Sequence, residues 1–124
     1  MNSMFTKIAR IALGLALVVF GANKLFHFLP MEAPTGSAGD FMNSLGATGY
    51  IFPVLGVLEI IIGAMLLLKK WVAFALILLA PISINILLFH LFLGISGLPI
   101  AIVVLLFNGI LIYKHWQQYK PLFY

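Results

Sequence analysis

The stretch that decides the fold is residues 71–113, WVAFALILLAPISINILLFHLFLGISGLPIAIVVLLFNGILIY. It runs 43 residues without one Asp, Glu, Lys or Arg, between Lys70 and Lys114. About 20 mostly apolar residues cross a bilayer as a helix. The stretch is too long for one crossing and long enough for two. Its break is Gly94-Ile95-Ser96-Gly97-Leu98-Pro99, where two Gly and a Pro mark a tight turn. The predicted spans are about 71–93 and 98–113.

Working outward from there, Lys69 and Lys70 close a second apolar run, about 50–68. A first run covers about 5–29 and ends at Pro30. Lys7 and Arg10 precede it as in a signal peptide. The run nevertheless continues through Leu25, Phe26, Phe28 and Leu29 with no small-x-small cleavage site, so we read it as a retained span. Residues 30–49 are small and polar, with Glu32 and Asp40 and no Lys or Arg. Within them Ser37-x-x-Asp40 resembles a capping box, and Phe41, Met42 and Leu45 follow on one face. This segment is either a short helix across the outer mouth of the bundle or an irregular loop.

Composition agrees. The chain has 124 residues, 64% apolar and 8% charged, with mean hydropathy +1.18. Ten charges cannot keep the large relative surface of so small a chain in water, so a soluble globular protein is excluded. Disorder is excluded because disordered chains are poor in apolar residues. With no Cys, disulfides, thiol redox chemistry and Cys-ligated zinc or iron–sulfur sites are excluded too. Period-two alternation is absent, which argues against a membrane barrel. The expected fold is all-α, an integral membrane four-helix bundle formed by residues 1–124 as one domain.

Charge placement orients it. Four spans put both termini on one side, and Lys7, Arg10, Lys69, Lys70, Lys114 and Lys120 all fall there, while the opposite loops hold no Lys or Arg. The positive-inside rule assigns that side to the cytoplasm of the cell membrane. Trp71, Tyr113, Trp116 and Tyr119 sit where the inner aromatic belt belongs. The net charge of +4 is thus a topology signal and not a nucleic-acid footprint.

Ionisable groups inside a membrane are costly and mark functional candidates. Five side chains stand out: Lys24, His27, Glu59, Asn85 and His90. All are expected between the midplane and the outer face. Gly14, Gly21, Lys24 and Phe28 share one helical face, and Gly56, Glu59 and Gly63 form a small–acid–small stripe that should face other helices. Lys24 and Glu59 are the natural ion pair. It either belongs to a polar pocket for a ligand head group or for proton exchange, or simply fixes the first two spans together. Pro81 should kink the third span, with Ser83 and Asn85 close behind to bond freed backbone groups or a ligand. His27 and His90 lie at similar depth and could ligate one iron, but no local motif or further ligand supports haem or a metal. Asn108 falls in the inner half of the fourth span, apart from this group. His115 reads as a solvated tail residue. No phosphate-binding loop or nucleophile elbow is present.

Several of these residues carry a family resemblance. Gly14 with Gly21-x-x-Lys24-Leu25, Leu58-Glu59-x-x-x-Gly63-x-x-Leu66-Leu67, Phe89-His90, and Asn108 with Tyr113 resemble the DoxX family, over about Ile8 to Tyr119. The resemblance implies a small four-helix membrane protein linked to redox metabolism, such as quinone-coupled thiosulfate oxidation or an oxidative-stress complex. Distant eukaryotic relatives are assembly chaperones for membrane receptors. Since the chain has no Cys and no residue able to carry electrons alone, a redox role needs a quinone or a partner subunit. The function expected first is a quinone- or lipid-binding subunit of a membrane redox system, with a homo-oligomer as a further option. The alternatives are a non-catalytic assembly module and a small proton-coupled transporter. The last is disfavoured because small multidrug exporters carry their acid in the first span, where this chain has Lys24.

Overall fold

Helix is the only regular structure among the described residues of the computed structural model, which are 4–28, 35–93 and 97–123. Glu32, Pro30 and residues 94–96 of the expected turn lie outside them. In chain order the helices are α1 (Met4–Phe26), α2 (Gly36–Ala47), α3 (Ile51–Leu68), α4 (Val72–Phe92), α5 (Leu98–Lys114) and α6 (Trp116–Tyr119), followed by a 3₁₀ turn, Lys120–Phe123. The long helices fall within a few residues of the four predicted spans. The polar segment 30–49 does contain a helix, α2. Its N-cap is Thr35, which makes no side-chain cap bond, so the expected Ser37-x-x-Asp40 box is not what starts it.

Three helices, α1, α3 and α4, are long and apolar enough to cross a membrane. The 17 residues of α5 rise only about 25 Å, short of a hydrocarbon core of ~30 Å. The chain then bends by 70° into α6 and the 3₁₀ turn.

Helix ends follow local chemistry. His27 adopts φ 52° and its N–H bonds the Asn23 carbonyl at 2.8 Å, which closes α1. At the end of α3, Lys69 is left-handed (φ 56°), and Lys70 N–H reaches back to the Met65 carbonyl at 2.9 Å. Lys69 N–H bonds the Leu66 carbonyl at 3.4 Å, completing a Schellman closure. Trp71 is left-handed as well (φ 52°), so the chain reverses into α4 within three residues. Pro99 lies in the first turn of α5, where its missing N–H costs nothing.

The closest packing is α1 on α3, then α4 on α5; α3 meets α4 and α1 meets α5 around a shared core. That core is Ala9, Leu13 and Leu17 of α1, Ile62 and Leu66 of α3, Val72, Ala75, Leu76 and Leu79 of α4, and Leu111 of α5. Many large apolar side chains point outward instead, Val54, Val57, Ile61, Ile84, Ile100 and Leu106 among them, as expected where lipid is the solvent.

Candidate functional site

The α1–α3 contact is built on glycine. A β-carbon on Gly21 would stand 2.7 Å from the Gly56 carbonyl oxygen, and one on Gly63 would stand 2.7 Å from the Gly14 carbonyl oxygen. The pairs Gly14–Gly63 and Gly21–Gly56 are each seven residues apart on their own helix and run antiparallel. At both glycine pairs backbone therefore lies in near contact with backbone.

This approach seats the ion pair. Glu59 lies between Gly56 and Gly63, and Lys24 follows Gly21 by three residues, on the same face. The Lys24 ammonium donates to Glu59 Oε1 at 3.0 Å. The two side chains are unequally covered: 4% of Glu59 is exposed and 28% of Lys24. The carboxylate is enclosed by helices, and the ammonium closes it from the side that remains open. Chemically the pair offers a strong hydrogen-bond donor at the rim and a proton-accepting oxygen behind it.

The Lys24–Glu59 bond itself involves none of the other predicted residues. Asn85 is exposed, and its Nδ2 donates to the Pro81 carbonyl of its own helix at 2.8 Å. Ser83, two residues earlier, points inward. Two residues turn a helix through about 200°, so the two side chains cannot share a face. His27 is exposed past the end of α1. His90 is half-buried, edge-on to Phe89 with centroids 5.1 Å apart, and its ring lies against Gly97, where a β-carbon would stand 2.4 Å from its Cε1. Phe89 in turn meets Phe41 of α2 at 5.7 Å. Among the described residues no group of three His, Asp or Glu could hold a metal ion.

Three buried polar groups were missed or undervalued by the sequence reading. Arg10, taken only as a charge marker, is 9% exposed and donates to the Leu66 carbonyl at the C-terminus of α3. There its charge meets the negative end of the helix dipole. Its position four residues before Gly14 is the signal that could have revealed it, since Thr6, Arg10, Gly14 and Gly21 lie on one buried stripe. Asn108 joins α5 to α4: its Nδ2 donates to the Leu76 carbonyl at 3.0 Å, and Ser83 Oγ donates to its Oδ1 at 2.8 Å. Tyr119, placed in the aromatic belt, is buried, and its hydroxyl donates to the Ala73 carbonyl at 2.6 Å. His115 is half-buried, with Nδ1 2.8 Å from the Leu111 carbonyl, so it is not a solvated tail residue.

A groove of about 430 Å³ runs along the outward face of α3, lined by Pro53, Val54, Val57, Leu58 and Ile61. It is apolar and includes neither member of the ion pair.

Long apolar helices packed side by side make this a multi-pass membrane protein. The DoxX family model matches residues 5–94, nearly three quarters of the chain, and the chain belongs to the DoxX family. The match covers α1 to α4 with both members of the pair, and ends before Asn108 and Tyr113. No curated protein and no solved structure matches the chain.

Proposed function

We propose that the protein is a quinone- or lipid-binding subunit of a redox system in the cell membrane, built as a four-span bundle with both termini cytoplasmic. The observation that carries the reading is the Lys24–Glu59 pair, held at 3.0 Å inside apolar helices. A buried ion pair is weak evidence for a stabilising role, because well-packed apolar residues of similar volume often serve as well or better. A partly exposed ammonium in an apolar wall suits the carbonyl oxygen of a quinone ring, and Glu59 behind it can take up or return a proton. DoxX proteins are often associated with redox systems, which favours quinone among apolar ligands that carry a polar head. The electrons then pass to or from a partner subunit, since this chain has no group to hold them. Asn85, His27 and His90 take no part in the Lys24–Glu59 bond. On this reading they would contribute at the rim, contacting a ligand tail or partner.

The test is mass spectrometry of the protein purified in mild detergent. Wild type is expected to carry quinone, and Lys24→Met and Glu59→Gln to carry several-fold less while keeping their helix content. Purified protein without quinone, together with a fully functional Glu59→Gln strain, overturns the proposal. Pair-independent copurification of a membrane protein in fixed stoichiometry would favour the assembly-module alternative.

A further inference from the structure

At the end of the molecule opposite α2, Lys7, Arg10, Lys69, Lys70, Lys114 and Lys120 gather. The acids among the described residues are elsewhere: Asp40 in α2 and Glu59 midway along α3. Lys69, Lys70 and Lys120 are exposed, and the Lys24–Glu59 bridge is the ion pair that the described residues form. Arg10 is engaged with the α3 carboxyl end, so the lysines provide the free charge.

The C-terminal segment gives this charge a shape. Beyond α5 the chain bends by 70° and returns against the start of α4, where the Tyr119 hydroxyl bonds the Ala73 carbonyl. That bond brings Lys120, the residue after Tyr119, to the corner already occupied by Lys69 and Lys70, which precede α4. Trp116 stacks on Phe123 with centroids 5.8 Å apart and planes at 22°. Trp71 and Tyr113 are each 77% exposed at the same level, and Leu122 and Phe123 are exposed on the hook. Exposed aromatic rings beside lysines, on a short segment turned away from its span, match the headgroup layer of a bilayer.

We propose that the corner between this hook and the α3–α4 turn binds the phosphate headgroup of an anionic phospholipid, with Lys69, Lys70 and Lys120 contacting the phosphate. Trp71, Trp116 and Phe123 flank the upper acyl chains. The argument is charge complementarity: three unpaired cations on two segments that one buried hydrogen bond holds together, with no acidic side chain described near them. The site lies at the far end from Lys24 and Glu59 and is independent of any quinone there.

The test uses the whole protein in nanodiscs of equal phosphatidylglycerol and phosphatidylcholine, with retained lipids identified by native mass spectrometry. Wild type is expected to keep phosphatidylglycerol in preference. Lys69→Gln/Lys70→Gln/Lys120→Gln should lower that preference at least about fivefold, given the contribution of each basic residue near an anionic surface. Tyr119→Phe keeps every charge but removes the bond that ties the hook to α4, and should lower it by a smaller factor. Circular dichroism must show unchanged helix content in both variants. No preference in wild type, or a preference that survives the triple variant, overturns the proposal. An undiminished preference in Tyr119→Phe also overturns it, because the attraction would then be diffuse charge. So does a protein partner that the triple variant releases in the absence of any lipid preference.

Discussion

Glycine is usually a poor helix residue, about 1 kcal/mol worse than alanine. Gly21 inverts that rule, because the atom a β-carbon would strike is the Gly56 carbonyl oxygen at 2.7 Å, part of a backbone that can yield only if the helices separate. Gly21→Ala is therefore expected to destabilise the protein by about 1–3 kcal/mol despite the gain in helix propensity. Gly109 in α5 provides the control, since nothing lies within 4 Å of its β-position. Gly109→Ala should fall within about 1 kcal/mol of wild type, on the stabilising side. Thermal unfolding in one detergent, followed by circular dichroism, compares the two. Equal effects would mean that the α1–α3 approach does not depend on its glycines. The separation of helices would also part Lys24 from Glu59, so the glycines position the candidate site without touching a ligand.

Elements were legible to the degree that their cause was local. Runs of apolar residues, and the Lys residues that stop them, gave α1, α3, α4 and α5 to within about three residues; α1 ends at Phe26, short of the predicted Leu29. Helical phase gave the glycine stripes and the facing of Glu59. The same phase separates Asn85 from Ser83, an inference the sequence permitted once one of the two was known to point inward. Tyr119 was not legible, because its partner is a backbone carbonyl 46 residues earlier and nothing near position 119 encodes that. Its burial has a measurable consequence. Desolvation pushes the phenol pKa up to about 12 from its ordinary value of 10. A raised acid favours the folded state while the phenol stays protonated. The contribution is therefore complete below about pH 10 and is lost as the pH rises through about 12. Wild type should exceed Tyr119→Phe by about 1 kcal/mol at pH 8, the value of one hydrogen bond. The gap should close and then reverse between those two pH values, because raising the phenol pKa from 10 to about 12 outweighs one hydrogen bond, and lysine titration cancels because both proteins share it. A gap constant up to pH 12 would mean that the hydroxyl is not buried against Ala73.

For the whole molecule the open quantity is how many times the chain crosses the membrane, and the weak link is α5. On length alone it falls short, and three crossings would leave the C-terminus on the side of α2. Two features argue for four. Only a fourth crossing returns Lys114 and Lys120 to the side of Lys7, Lys69 and Lys70, keeping the basic residues together. Only a fourth crossing also allows Tyr119 to reach Ala73 beside the α3–α4 turn. A shorter span is accommodated by local thinning of the bilayer at a modest cost per ångström. The chain has no Cys, so single cysteines report position without background. Asn43→Cys, exposed on α2, should react with an impermeant maleimide added to intact cells. Gln117→Cys, exposed on α6, should react only after lysis. The reverse pattern would invert the orientation. Labelling of both in intact cells would place α2 and α6 on one side, reduce the crossings to an odd number, and detach the hook from the start of α4.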